Sequence, residues 1–237
     1  MKTLLILAGG FGTRLRSVVS DVPKPLAPVN GKPFLTYLIK SFVSQGAKDL
    51  VFLVHFEYQK IQLTIEEMRS EGLLEGANIR VLVEDEPLGT GGSILNAINT
   101  LKLEDSFLVA NADSWLGEGL QTMHKSKPPS LASIKAKDCS RYGSLLLEGK
   151  RVLSFEEKKS ANKEGWINAG LYHLSPDIFL DHTQGSNFAL ENKIFPKLAD
   201  HGKLGVEKIH TEFIDIGVPD DYFKFCKWIE GGKSFDL

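Results

Sequence analysis

Residues Leu4 to Ala8 form an unbroken apolar run that stops at Gly9-Gly10. An apolar run with no polar alternate belongs to a strand covered on both faces, the situation of a parallel sheet between two layers of helices. Two arginines, Arg14 and Arg16, and a lysine held between prolines, Pro23-Lys24-Pro25, follow the glycines. Strand, glycine turn and positive charge suit polyphosphate, because glycine lets backbone N–H groups close on an anion while the cations neutralise it. The loop is not a P-loop, since no Gly-Lys-Ser/Thr ends it, nor a dinucleotide fingerprint, since Leu15 stands where the third glycine would be. On these residues alone, a plain glycine turn with solvated arginines remains the other reading.

The alternation that begins at Leu4 continues. Thr3–Ala8, Leu50–His55, Ile79–Val83 and Ser106–Ala110 read as buried strands. Pro33–Gln45, with Gly46 beyond it, Tyr58–Arg69 and Ser93–Leu101 read as the helices between them. In such open α/β folds ligands bind beyond the carboxyl ends of the strands. That rule puts Gly9–Arg14, Glu84–Gly92 and Asn111–Asp113 on one edge. Further on, Leu131–Lys137, Ser144–Leu147, Val152–Glu156 and Trp166–Leu174 read as strands joined partly by hairpins. Phe188–Ala199 reads as a helix bent at Pro196, followed by strands at Val206–His210 and Phe213–Ile216 and a last helix from Pro219. No linker, repeat or low-complexity tract interrupts this pattern, which predicts one domain.

Composition excludes several function classes. A net charge of −2 over 237 residues provides no global field for nucleic acid or anionic membrane, so any anion site must be local. The first apolar run is too short for a leader and no run reaches the length of a membrane span. Cys139 and Cys226 lack the spacing of a zinc site or disulfide framework, and the six histidines form no ligand pair. A reduced, cytoplasmic compartment is the expectation.

Leu7 to Leu15, followed by Pro23-Lys24-Pro25-Leu26 and Gly31-Lys32-Pro33, resembles the signature of the sugar-phosphate nucleotidyltransferases. The match continues through Glu86-Pro87-Leu88-Gly89-Thr90-Gly91-Gly92, Phe155-x-Glu157-Lys158, Ile167-Asn168-Ala169-Gly170 and Asp215-Ile216-Gly217-x-Pro219, in the family's order and over nearly the whole chain. The resemblance implies transfer of a nucleoside monophosphate from an NTP to a sugar 1-phosphate, with release of pyrophosphate. It also implies a three-layer αβα Rossmann-like (GT-A-like) fold with a mixed, mainly parallel central sheet. One domain would span residues 1–237, its nucleotide half at about 1–115 and its sugar-phosphate half at about 116–237.

Carried onto this chain, the resemblance makes Arg14 and Lys24 the catalytic cations. Leu7, Ala8, Gly9, Gly10, Gly12, Thr13, Glu84, Gly89 and Thr90 join them in holding the nucleotide. Gly89 to Gly92 would let it lie close to the backbone, and Glu84 would read the base. A carboxylate there accepts from guanine N1–H and N2–H₂ together, although uracil or thymine N3–H suits it too, and a solvated strand-end acid is the other reading. Gly143, Glu157, Lys158 and Asn168 would hold the sugar phosphate, with Arg141-Tyr142-Gly143 as the far wall. Trp166 is placed either to stack on the sugar or to pack in the core. Asp113 and Asp215 would bind Mg²⁺, which takes one or two carboxylates and completes its octahedron with phosphates and water. Ala112 stands where the family usually has glycine, putting a methyl next to a proposed metal ligand, and Val218 stands where threonine is common.

The overall likeness is to D-glycero-α-D-manno-heptose 1-phosphate and mannose 1-phosphate guanylyltransferases, which favours GTP, with heptose 1-phosphate first and mannose 1-phosphate second. A UTP- or dTTP-using relative is the nearest alternative. A non-catalytic regulatory subunit is an alternative of another class, against which stands the presence of Arg14, Lys24, Asp113 and Asp215. A homo-oligomer fits the reading without a residue that argues for it.

Overall fold

The structure, a computed structural model, describes residues 1–12, 14–140, 142–157 and 164–232, with Glu156 and Glu157 described by backbone alone. The first half runs through β1 (Leu4–Leu7), a 3-10 turn at Lys24–Leu26, β2 (Pro28–Val29), β3 (Lys32–Pro33) and α1 (Phe34–Ser44). It continues with β4 (Asp49–Val54), α2 (Tyr58–Ser70), β5 (Asn78–Val83), α3 (Gly89–Leu101) and β6 (Phe107–Asn111). The second half holds β7 (Ser114–Leu116), α4 (Leu120–Lys125), β8 (Ser130–Ala136), β9 (Gly143–Glu148), β10 (Arg151–Glu157) and β11 (Gly165–Leu174). A 3-10 turn at Pro176–Phe179 leads to α5 (Leu190–Lys193), α6 (Phe195–Asp200), β12 (Gly205–Lys208), β13 (Phe213–Asp215) and α7 (Pro219–Glu230).

One sheet carries strands of both halves, in the order β5-β4-β1-β6-β11-β8-β12-β10-β9. β5, β4, β1 and β6 are parallel, and the near-continuous apolar runs of β4, β1 and β6 match strands covered on both faces. β5, expected to be buried, is instead a half-exposed edge strand interrupted by Arg80. The mainly parallel character expected of the sheet belongs to this half. Beyond β6 most pairings are antiparallel, β12 beside β8 excepted, because β9 and β10 form a hairpin and β11 returns against β6. The sheet is therefore mixed, with its change of direction between β6 and β11.

Side chains of the central strands alternate between two cores. Leu4 and Ile6 of β1 pack with α1, α2, α4 and α7 through Phe34, Ile61, Met123 and Phe225. Leu5 packs on the other face with Ile94 of α3, Leu190 of α5 and Phe195 of α6. This is the expected three-layer arrangement, reached through the period-2 geometry of a strand with both faces covered. Leu4, Leu5 and Ile6 are fully buried, each worth about 1.5–3 kcal/mol relative to exposure.

Two boundaries differ from the sequence reading in ways that bear on the site. The third helix starts at Gly89, four residues before Ser93, so the glycines form its first turn rather than a loop ahead of it. The helix expected over 188–199 is two short helices, with Pro196 in the first turn of the second, where its missing N–H is not needed. No helix of the described residues is long and apolar enough to cross a membrane.

Candidate active site

Parallel register sets the geometry. Leu7 is level with Leu53 on β4 and with Asn111 on β6, so the segments that follow β1, β5 and β6 emerge on one edge of the sheet, as expected. They enclose a cavity of about 350 Å³ lined by Leu7, Gly9, Gly10, Glu84, Gly89 and Asp113, among others. A second cavity, of about 260 Å³, is lined by Arg14, Gly143, Asn168, Glu191 and Asp215. Thr90, Asn111 and Asp113 line both, so the two spaces adjoin. Ala8 faces the core, and Gly12 packs on Lys24, where an added Cβ would lie 3.0 Å from the lysine Cβ.

Asp113 stands at the junction. The Lys24 ammonium donates to its Oδ2 at 2.6 Å, and the Ser114 hydroxyl donates to Oδ1 at 3.2 Å. Lys24 is presented by the 3-10 turn, in which the Leu26 and Ala27 N–H groups donate to the Pro23 and Lys24 carbonyls. Asp215 comes to the same place because β13 pairs with β7, and the Ile216 N–H donates to the Asp113 carbonyl at 2.9 Å. Burial pushes the Asp113 carboxyl up, but the Lys24 charge and its hydrogen bond outweigh it and hold the group below its ordinary value. Asp215 goes the other way, to about 6, through burial and then the Asp113 charge, although Lys24, the Gly217 N–H and Arg14 pull against them. The Lys24 ammonium is thus bonded to one carboxylate and the Arg14 charge acts on the other, and the oxygens of the pair are donors that a divalent cation with oxygen preference would take. Ala112, which stands where the resemblance expects glycine, is 1% exposed and packs in the core.

Glu84, at the far end of the first cavity, is not a solvated acid. It is 4% exposed and its Oε1 is buried without a hydrogen-bond partner. Burial raises its carboxyl above the ordinary value, opposed by the Ser93 hydroxyl, the Leu88 N–H and His55. His55 Nδ1 also donates to the Glu84 carbonyl at 2.9 Å, fixing the end of β5.

The glycines after Glu84 pack closely against another part of the chain. The segment 186–191, from the other half of the chain, lies directly against them. Asn187 Nδ2 donates to the Pro87 carbonyl, the Phe188 N–H to the Leu88 carbonyl, and the Gly91 N–H to the Phe188 carbonyl. A Cβ at Gly91 would stand 2.2 Å from the Phe188 ring, and one at Gly92 would stand 2.3 Å from the Ser186 carbonyl oxygen. Gly89, which lines the first cavity, has φ +69°. Gly89 and Gly92 thus admit the backbone of this segment, and Gly91 its Phe188 ring. Thr90 takes part too: its hydroxyl accepts from the Leu190 N–H at 2.9 Å and donates to Glu191 Oε2 at 2.8 Å.

On the sugar side of the reading, Gly143 and Asn168 line the second cavity. Asn168 is oriented by a bond from its Nδ2 to the Tyr172 hydroxyl at 2.9 Å and by the Gly170 N–H, which donates to its Oδ1. Glu157 is placed by its backbone opposite Gly143 in the β9–β10 ladder. Thr13, Arg141 and Lys158 lie outside the described residues. Trp166 lines neither cavity and instead carries the Lys208 ammonium 5.0 Å from its ring centre. Arg16 likewise lies over the Phe56 ring, at 5.2 Å, rather than in a cavity. Sequence reasoning missed Asn187 and Glu191, which reach the site from about 100 residues beyond Thr90 with no local signal. It also passed over Asn111 as a cavity residue, although its place at the end of a strand beside Asp113 was signal enough.

The chain matches the nucleotidyl transferase family over residues 3–230. It is 37% identical over 226 residues to D-glycero-alpha-D-manno-heptose 1-phosphate guanylyltransferase of Campylobacter jejuni, covering 93% of this chain and 97% of that one. It is 31% identical over 239 residues to mannose-1-phosphate guanylyltransferase catalytic subunit beta of Xenopus tropicalis, a longer protein of which the match covers 65%. The solved structure of HddC from Yersinia pseudotuberculosis complexed with GMP-PN is similar at TM-score 0.83 and 33% identity, covering 97% of this chain and 100% of that one. A strand-edge site of two adjoining cavities, built on motifs that run the length of the match, is thus found in an enzyme that belongs to the nucleotidyl transferase family.

Proposed function

We propose that this enzyme transfers the guanylyl group of GTP to a sugar 1-phosphate, with D-glycero-α-D-manno-heptose 1-phosphate as first choice and mannose 1-phosphate as second. The observation that carries the reading is the pair of cavities meeting at Asp113, one ending in the buried Glu84 and the other at Asn168 and Gly143. The guanylyltransferase relatives support the nucleotide and the sugar class.

In this reading guanine lies toward Glu84 and the triphosphate runs over Gly9 and Gly10 toward Arg14. A phosphate oxygen of the sugar 1-phosphate attacks the α-phosphorus in line, forming the new O–P bond as the bond to the β-phosphate oxygen breaks and pyrophosphate leaves. Such a transfer depends on positioning and charge neutralisation more than on covalent help. Arg14 steadies the departing pyrophosphate. Lys24 commits one of its three protons to Asp113 and presents the others to the reacting phosphates. Asp113 and Asp215 would hold Mg²⁺, which when bound draws charge from the phosphate oxygens. Lys158 is assigned the sugar phosphate, and Glu157 and Asn168 the sugar hydroxyls.

A pyrophosphate-release matrix of GTP, ATP, CTP, UTP and dTTP against a panel of sugar 1-phosphates tests the proposal. Release is expected with GTP and a heptose or mannose 1-phosphate. Release confined to UTP or dTTP would overturn the base assignment, and none with any pair would favour a non-catalytic binding role.

A further inference from the structure

We infer that Glu191 is a specificity-determining residue that accepts hydroxyl groups of the sugar 1-phosphate, held in position by Thr90 from the nucleotide side of the site. The inference rests on the proposed function and deepens it by assigning a sugar-reading carboxylate outside the motifs.

Three acidic side chains line the second cavity among the described residues: Asp113, Asp215 and Glu191. The first two face each other near Lys24 and are assigned to the metal. Glu191 sits apart from them on α5, beside the fully buried Leu190. The Thr90 hydroxyl bonds the N–H of Leu190 and the carboxylate of Glu191 at once, so backbone and side chain are fixed by one group. An ionised carboxylate is an acceptor only, with about four lone-pair sites, and so suits a ligand that presents neighbouring O–H donors. Phe155 and Phe213 line the same cavity, giving apolar surface for the C–H face of a sugar ring. Beneath it lies the Tyr172 hydroxyl, the acceptor for Asn168, which burial first and the Glu191 charge second keep protonated.

Fixing Glu191 through Thr90 has a chemical use. Hydroxyl stereochemistry is read by hydrogen-bonding groups held in place, and a loose carboxylate would follow whichever epimer entered. Because Thr90 lines both cavities, the group that fixes Glu191 is itself part of the nucleotide wall.

The test compares wild type with Glu191→Gln, using GTP and mannose 1-phosphates that each lack one ring hydroxyl. For intact mannose 1-phosphate, KM should rise about 10–100-fold, the scale of one hydrogen bond to a charged group, with KM for GTP changed by less than about twofold. For an analogue lacking a hydroxyl that Glu191 reads, the gap between wild type and variant should narrow, while for the other analogues it should stay. An equal loss with every analogue would overturn the inference while leaving the proposed function standing. Absence of turnover by wild type with every NTP and sugar 1-phosphate would sink both. Should Glu191→Gln fail to fold, Thr90→Val provides the second reading: a smaller rise in the sugar KM that narrows for the same analogue supports the role, and a uniform loss refutes it.

Discussion

The Lys24 ammonium lies 2.6 Å from a carboxylate oxygen of Asp113, tying the turn behind the glycine loop to the end of β6 across 89 residues of chain. With side-chain exposures of 11% and 29%, the pair is sheltered but open to the cavities. Lys24→Ala should lower kcat about 10²–10³-fold, the range for loss of one preorganised donor to developing charge. Its melting temperature should fall only slightly, because Asp113 keeps access to solvent. Near-normal turnover would remove Lys24 from the mechanism. Asp113→Asn should raise the Mg²⁺ needed for half-maximal pyrophosphate release by at least about 10-fold, and an unchanged titration would point to other ligands.

Glu84→Gln should move activity and stability in opposite directions. Glutamine presents one acceptor and one N–H₂ group, so it mispairs with one of the two guanine donors. The ratio of kcat/KM for GTP to that for UTP should fall about 10–100-fold. The raised carboxyl pKa means that the folded protein holds this proton more tightly than the unfolded chain, so ionisation at neutral pH weakens the fold. Removing the charge should leave the melting temperature at pH 7 equal or higher. An unaltered GTP preference would take base reading away from Glu84.

The glycines of the site should separate by what they touch. Gly92→Ala meets a backbone carbonyl that cannot swing aside and should destabilise the protein by about 1–3 kcal/mol or more. Gly91→Ala meets the Phe188 ring, so adding Phe188→Leu should recover part of the loss, whereas it should not rescue Gly92→Ala. Gly10→Ala has nothing within 4 Å and should leave denaturant midpoints unchanged while raising KM for GTP. Equal stability losses at all three positions would contradict this account.

His173 sets an acid limit on stability. It is 1% exposed, its Nε2 is buried without a partner, and its pKa is lowered to about 4 by burial first and the nearby Lys2 charge second. Above its ordinary 6.5 both folded and unfolded states leave it neutral. Between 6.5 and 4 only the unfolded chain takes up the proton, so stability falls as pH falls through that window. From pH 7 to pH 5 the loss from this group is about 2 kcal/mol. Urea midpoints should show it, and His173→Asn should flatten the slope over that window whatever its absolute stability.

Much of this was readable from the chain. The run Leu4–Ala8 disclosed a strand buried on both faces, and the segments Gly9–Arg14, Glu84–Gly92 and Asn111–Asp113 disclosed the edge they share. Less visible was anything fixed by contact at long range. The sequence places glycines where helix propensity disfavours a helix start, yet α3 begins at Gly89, because bonds to Phe188 and the closeness of Ser186 outweigh that preference. Glu191 was hidden for the same reason: its meaning comes from Thr90, and no periodicity connects the two. Glu84 read as either solvated or base-reading until its burial excluded the first.

The brace formed by residues 186–191 also limits how far the two halves of this enzyme can be treated as exchangeable modules. A chimera that took its second half, proposed to bind the sugar, from another relative would import a foreign partner for Gly91, Gly92 and Thr90 along with the new cavity wall. Retargeting by half exchange would therefore disturb the wall of the first cavity even when every residue of the first half is kept. Retaining 186–191 with its native glycines, and swapping only the strands around Gly143 and Asn168, places the cut where the chain's own packing allows it.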